Sequence, residues 1–166
     1  GTLTEGEPRL VTVEPIAAFS ETDFLSFAAA IERSSEHPLA QAIVKGAEER
    51  SAARLDASDF GSVTGEGAQG RVNGKIFAIG NAKMMRRVGA LDEALQARAE
   101  IYRKDGQTVM FAALDGKPAG LIGVADPIKD TTPEAIETLH KAGMKVVMLT
   151  GDSKATAEAV ARQIGI

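Results

Sequence analysis

Thr150-Gly151-Asp152 combines a hydroxyl, a glycine and a carboxylate at a position suited to phosphoryl chemistry. An apolar run at 145–149, typical of a buried parallel strand, comes before these residues, and a helix that Ser153 would cap comes after them. Ligands of open α/β sheets bind at the carboxyl ends of strands, and a helix N-terminus favours phosphate. A threonine can hold a phosphoryl oxygen, and an aspartate can hold Mg²⁺ or make a hinge contact. A simple helix cap is the alternative interpretation.

Gly65-Glu66-Gly67 offers a stretch of backbone that a ligand can approach closely, because neither glycine carries a Cβ atom. The segment lies between two predicted strands and not between a strand and a helix. It therefore lacks the context of a dinucleotide-binding fingerprint. The alternative interpretation is a β-bulge or a turn with no ligand.

His37 and Glu32 lie at the two ends of a predicted helix–helix connection. Pro38 suits the first turn of the second helix, which makes His37 its N-cap residue and is expected to turn the ring away from the helix. An imidazole and a carboxylate that converge there could bind the edge of a base, whereas a solvated loop histidine is the alternative. The remaining candidates are predicted to be solvated: His140, Lys83, Arg86 and Arg87.

The elements that position these residues follow from hydrophobic periodicity and turn residues. Apolar positions spaced i, i+3, i+4 and i+7 predict a helix at 21–33, and a second helix from Pro38 completes a helical hairpin. Asn73-Gly74 and Asp115-Gly116 predict β-hairpins, because both positions tolerate positive φ. Two further helices are predicted at 82–88 and 92–104. Residues 14–120 are thus predicted to form an antiparallel sheet with helices.

The pattern changes after this region. A strand at 121–125, a helix at 133–142 capped by Thr131 or Thr132, the strand at 145–149 and a helix to residue 164 form a βαβα series. Such a series predicts a doubly wound α/β sheet. Because only two units are present, residues 121–166 are expected to be less stabilised than the rest.

Composition excludes several classes of function. The 166 residues contain no cysteine and carry a net charge of −4. Disulfides, zinc–thiolate sites and thiol catalysis are therefore excluded, and the acidic balance argues against nucleic acid as a partner. The apolar runs have the length of strands, so no membrane span and no direct membrane contact are expected.

Six segments, in order, resemble signatures of the heavy-metal-transporting P-type ATPases. Residues 1–8 resemble the end of the family's DKTGTLT motif, and residues 35–43 resemble its SEHP signature. The others are GEG at 65–67, IGN at 79–81, ADPIKD at 125–130 and MLTGD at 148–152. The resemblance covers essentially the whole chain.

This resemblance implies a nested fold. An α+β nucleotide-binding domain at 14–120, an antiparallel sheet with a helical hairpin, would be inserted in a partial α/β haloacid-dehalogenase-like phosphorylation domain. Residues 1–13 and 121–166 would belong to the phosphorylation domain. The adenosine part of ATP would be surrounded by Glu32, His37, Gly65, Gly67 and Asn81. The phosphorylation site would include Thr2, Thr150, Gly151 and Asp152, with the threonines around the phosphoryl group and Asp152 toward the nucleotide and the hinge.

The family's mechanism implies ATP with Mg²⁺ as cofactors and no metal ligands in this chain. An aspartate attacks the γ-phosphate and forms an aspartyl-phosphate, which drives ion transport. That aspartate would precede Gly1, so the chain is expected to bind ATP or ADP without hydrolysing it. Its partners would be the remaining phosphorylation, actuator and membrane domains of the same pump, and its place the cytoplasmic side of an integral membrane protein.

The transported ion is ranked by likeness alone. Met84-Met85 after IGN, together with the segment 126–136, resembles copper(I)- and silver-exporting members most, and zinc/cadmium pumps come second. Two alternatives remain: a non-catalytic nucleotide-binding module, and a phosphatase of the haloacid-dehalogenase kind, which would also need an aspartate nucleophile.

Overall fold

The computed structural model describes residues 2–16, 18–151 and 154–166, apart from the side chain of Pro38. Six strands form one antiparallel sheet in the order β1-β6-β5-β4-β3-β2. The strands are β1 Arg9–Pro15, β2 Ala57–Val63, β3 Gly67–Val72, β4 Lys75–Gly80, β5 Thr108–Leu114 and β6 Lys117–Ala125. The helices are α1 Glu21–Glu32, α2 Pro38–Glu49, α3 Ala82–Arg87, α4 Glu93–Lys104, α5 Thr132–Lys141 and α6 Lys154–Ile164.

The predicted helical hairpin is confirmed and covers one face of the sheet. The hydroxyl of Ser20 accepts from the Asp23 N–H and caps α1. The apolar stripe of α1, which includes Phe24 and Ile31, is fully buried with α2 against the sheet. Phe24 meets Phe77 of β4 edge to face, with ring centroids 6.0 Å apart. This packing fixes the end of α1, where Glu32 lies.

Helices α3 and α4 pack on the opposite face. Met84 and Met85 of α3 are buried together with Ala99 of α4 and Phe111 of β5. A six-residue helix has little stability of its own, so these buried methionines hold α3 in place. The start of α3 is thereby fixed beside the end of β4, where Asn81 lies.

Both predicted hairpin turns are confirmed. Asn73 and Gly74 have φ of 48° and 76°, and Asp115 and Gly116 have φ of 48° and 74°. Positive φ at both central residues is the geometry of the tight turns that join antiparallel strands.

The predicted doubly wound series does not form among the described residues. Residues 121–125 are the end of β6 in the antiparallel sheet, and residues 145–149 are not a strand. Val147 and Leu149 are 69% and 93% exposed. A buried parallel strand needs strands beside it, and the edges of the described sheet are β1 and β2. Helices α5 and α6 do form where they were predicted.

The predicted threonine cap of α5 is wrong. Thr131 occupies the N-cap position with helical φ and ψ and makes no side-chain cap bond. The Thr132 hydroxyl instead donates to the carbonyl oxygen of Leu3 at 2.7 Å. The first residues of the chain are thus tied to α5. The predicted Ser153 cap lies outside the described residues.

The predicted boundaries of the inserted domain fall inside two paired strands. Glu14 of β1 lies opposite Leu121 of β6 in the sheet. Beyond these strands the chain continues as a second pair, in which Thr4 bridges Ile128. Within the described ranges, no helix combines the length and the apolarity that a membrane crossing requires.

Candidate functional site

Glu32 is a buried carboxylate at the end of α1. Only 6% of its surface is exposed. Burial raises the pKa of Glu32 above its ordinary value, and a hydrogen bond with the Ser35 side chain opposes part of that shift. A buried carboxylate with few partners is a strong acceptor for a ligand that brings its own N–H donor.

His37 caps α2, as predicted, but its ring does not turn away from the helix. The Nδ1 atom accepts a hydrogen bond from the Leu39 N–H at 3.2 Å. A neutral imidazole that accepts at Nδ1 carries its proton on Nε2, so Nε2 is the atom left to donate. The Ser35 hydroxyl accepts from the His37 N–H at 3.2 Å. Ser35 therefore links Glu32 to His37.

The segment Gly65-Glu66-Gly67 forms the turn between β2 and β3, hereafter the glycine turn. Gly65 has a φ of 73° and Gly67 a φ of 156°. A Cβ atom on Gly67 would lie 2.2 Å from the Ile79 carbonyl oxygen, whereas a Cβ on Gly65 would meet nothing within 4 Å. Gly67 is thus required by the close approach of β3 and β4, and Gly65 leaves open space above the turn.

Asn81 holds the glycine turn to the start of α3. Its Nδ2 donates to the Gly65 carbonyl oxygen at 2.7 Å, and its backbone N–H donates to the Glu66 carbonyl oxygen at 2.8 Å. Its Oδ1 accepts from the N–H groups of Lys83 and Met84. Both polar atoms of the Asn81 side chain therefore have protein partners.

Arg87 is exposed, as the sequence predicts, but its guanidinium is also paired with Glu66. Its Nε and Nη2 atoms donate to the two carboxylate oxygens of Glu66 at 2.8 and 3.1 Å. This guanidinium holds the pKa of Glu66 below its ordinary value, and the charge of Lys83 acts in the same direction. Sequence spacing gave no signal for a pair 21 residues apart.

Helix α1, which ends at Glu32, and the glycine turn both adjoin β3. Ile31, which precedes Glu32, packs against Gly70 of β3, where an added Cβ would lie 3.0 Å from Ile31 Cδ1. Three extended residues, about 10 Å, separate Gly70 from Gly67. Helix α1 and the glycine turn are thereby neighbours on one strand.

A cavity of about 590 Å³ brings together two of the predicted phosphorylation-site residues, Thr2 and Thr150. Thr4 and Asp126 also line it. Asp126 accepts from the Thr4 hydroxyl and from the Gly6 N–H. The pKa of Asp126 lies below its ordinary value: burial acts to raise it, and the hydrogen bonds from Thr4 and Gly6 are among the interactions that lower it.

The structure does not bring together the whole predicted set. Gly151 is exposed and is not among the residues that line the cavity, and Asp152 lies outside the described residues. Thr4 and Asp126 were missed as cavity residues, although both lie in segments that carried the family resemblance. Across the described ranges, no three His, Asp or Glu side chains are grouped so as to hold a metal ion.

The family model for haloacid dehalogenase-like hydrolases matches residues 1–166. The chain belongs to this family. It is 48% identical over all its 166 residues to a copper-transporting P-type ATPase of Rhizobium leguminosarum bv. viciae, of which it covers 20%. It is 42% identical over the same length to a silver exporting P-type ATPase of Salmonella typhimurium, again covering 20%. Both relatives are P-type ATPases, and the chain spans about a fifth of their length.

The fold of this haloacid dehalogenase-like hydrolase is also found in a solved P-type ATPase. A zinc-transporting PIB-type ATPase in the E2.Pi state superposes on the whole chain with a TM-score of 0.81 and 33% identity. The chain covers 27% of that protein. The mixed α/β architecture with its antiparallel sheet is thus shared with a part of that pump.

Proposed function

We propose that this chain is the ATP-binding portion of a P-type ATPase that exports copper(I) or silver through an aspartyl-phosphate. The observation that carries the proposal is that α1, which ends at the buried Glu32, packs against β3, the strand that the glycine turn precedes, while Ser35 links Glu32 to the His37 cap. The copper- and silver-transporting relatives support the choice of pump and of ion.

The adenine end of the nucleotide is assigned to three groups. The Glu32 carboxylate accepts a hydrogen bond from the exocyclic amine of adenine. The His37 imidazole either donates from Nε2 to a ring nitrogen of adenine or packs against the adenine ring. Gly65 and Gly67 offer backbone with no side chain in the way. Aromatic residues make up only 4% of the chain. Polar contacts and glycine backbone therefore replace an aromatic sandwich in this proposal.

The phosphate end is assigned to the cavity that Thr2 and Thr150 line. Their hydroxyls would hold phosphoryl oxygens, with Gly151 beside them and Asp152 toward the nucleotide and the hinge. Mg²⁺ is proposed only as the partner of the nucleotide phosphates, because the described acidic residues do not form a cluster that would hold it alone.

The nested domain division remains part of the proposal. Residues 14–120 would be the nucleotide-binding domain, inserted between residues 1–13 and 121–166 of the phosphorylation domain. The pair of chain segments at Thr4 and Ile128 suits a connection between two such domains. The actuator, membrane and remaining phosphorylation domains of the pump would be its partners, on the cytoplasmic side of the membrane.

A zinc-transporting pump is the second candidate, because the chain is 33% identical to the matched part of the solved zinc-transporting ATPase. The identity to the copper and silver relatives is higher, at 48% and 42%. Metal-dependent ATPase activity of the whole pump separates the two. Stimulation by zinc but not by copper(I) would reverse the ranking.

Nucleotide titration of the chain tests the proposed function. Adding ATP with Mg²⁺ is expected to shift the NMR amide signals of Glu32, His37, Gly65, Gly67 and Asn81. His37→Gln should weaken binding without unfolding the chain, whereas His140→Gln on α5 should bind as the wild type does. No response to ATP, or equal affinity for the His37 variant, would contradict the proposal.

Phosphoryl transfer is expected to be absent from this chain alone. The proposal assigns the family's nucleophilic aspartate to a position outside these 166 residues. Incubation with γ-labelled ATP should therefore leave no acid-stable phosphoprotein. Label that stays on the protein and is released by hydroxylamine would show that another carboxylate takes the phosphoryl group.

A further inference from the structure

The glycine turn is fixed to α3 at both ends of that helix. At the start of α3, Asn81 donates hydrogen bonds to two consecutive carbonyl oxygens of the turn, from Nδ2 at 2.7 Å and from its backbone N–H at 2.8 Å. At its end, Arg87 forms a two-bond fork with the Glu66 carboxylate. A turn held at both its backbone and its side chain by one helix has little freedom to change shape.

The glycine turn packs so closely on the end of β4 that there is no room for a side chain between them. A Cβ on Gly80 would lie 2.3 Å from the Glu66 carbonyl oxygen, so the turn rests directly on the junction of β4 and α3. Met84 and Met85 are 0% and 1% exposed, which anchors α3 in the core. Helix α3 thus forms a rigid base under the glycine turn.

We propose that Arg87, through Glu66, is a positioning residue that holds the glycine turn in the shape that accepts nucleotide. This inference rests on the proposed function and adds to it a residue that takes no part in the family signatures. Arg87 acts on the ligand only through the turn. Its side chain is engaged by Glu66, and a fork of two charge-assisted hydrogen bonds fixes geometry better than a single contact.

The expected size of the effect is modest. The apparent dissociation constant of a ligand is its intrinsic constant divided by the fraction of protein molecules that hold the binding-competent shape. Breaking a surface-exposed fork shifts such an equilibrium by about threefold to fivefold. The dissociation constant for ATP is expected to rise by up to that factor in Arg87→Gln, with thermal unfolding close to that of the wild type.

The test measures ATP affinity by calorimetry in the 166-residue chain and four variants: R87Q, E66Q, the double variant and R86Q. The two single changes at the pair should each weaken binding, by up to about threefold to fivefold, and the double variant should be no weaker than either. Arg86, the neighbour of Arg87 in α3, is the matched control for loss of one positive charge, and R86Q should bind as the wild type does.

Glu66→Gln distinguishes positioning from direct contact. If Arg87 held the nucleotide phosphates itself, removing the competing Glu66 carboxylate would leave binding unchanged or tighter, and the proposal would be wrong. Equal weakening in R86Q would show a general effect of charge, and unchanged binding in R87Q would show no coupling. Each of these outcomes overturns the inference alone. A wild-type chain that binds no ATP overturns the proposed function as well.

Amide hydrogen exchange supplies a second measurement. The Asn81 N–H donates to the Glu66 carbonyl oxygen, so its exchange reports how firmly the turn sits on α3. Exchange there should be faster in R87Q and E66Q without nucleotide and should slow again with saturating ATP. Wild-type exchange in both variants would contradict a positioning role.

Discussion

Ser35 shows how one small side chain can organise a site. It hydrogen-bonds to the Glu32 carboxylate and accepts from the His37 N–H, so it joins a buried acid to a helix cap. Neither function is visible in composition or periodicity. Both follow from the tight connection between α1 and α2, which brings the end of one helix to the start of the next.

Glu32→Gln should separate stability from function. Because burial raises the folded-state pKa of Glu32, the unfolded chain ionises first, and folding is opposed once pH exceeds the ordinary glutamate pKa. The variant should therefore have a higher free energy of unfolding at pH 7, and the gain should vanish toward pH 4. Denaturant unfolding across that range is the measurement. A pH-independent difference would contradict the assignment, and the same variant should bind ATP more weakly.

Gly67→Ala should destabilise the fold by about 1–3 kcal/mol, because the added Cβ would meet the Ile79 carbonyl oxygen at an unfavourable φ. Gly61→Ala in β2 is the control, since a Cβ there meets nothing within 4 Å. Urea unfolding of the two variants gives the comparison. Equal stability of both would show that the strands separate easily at this point.

Among the helices and strands, α3 is the element on which the proposed nucleotide site depends. Asn81→Ala removes both the cap of α3 and the bond to Gly65, and should cost about 1–2 kcal/mol. Asn81→Asp keeps the capping oxygen but loses the Nδ2 donor, so it should recover most of the stability and little of the ATP affinity. Thermal unfolding and calorimetry would show this split. Parallel losses in both variants would contradict separate functions for the two ends of the side chain.

Individual helices and turns could be predicted from the sequence, whereas the contacts between elements distant in the chain could not. The period of α1 and the positive-φ dipeptides at 73–74 and 115–116 are encoded by neighbours in the chain, and the structure agrees with them. The Arg87–Glu66 fork depends on how the glycine turn meets α3, which no local pattern specifies. Residues 145–149 have a strand's composition, yet in the described sheet they have no strand to pair with.

At the scale of the whole molecule, stability should be uneven. The sequence predicted weaker stabilisation for 121–166, but β6 places 121–125 in the sheet, with Leu121, Ile122 and Val124 at most 1% exposed. Hydrogen exchange should therefore be slow through residue 125 and faster from 126 to 166. Equal protection across both segments would contradict this division.

The pairing of β1 with β6 has a consequence for how such a unit can be moved between proteins. The chain enters the sheet at Arg9 of β1 and leaves it at Ala125 of β6, and these two residues are paired, so the two ends of the segment 9–125 are about 5 Å apart. A host protein can accept a unit with adjacent ends in a single surface loop, without stretching or threading. Grafting this segment into the hairpin turn of an unrelated scaffold should therefore leave both the segment and the scaffold folded.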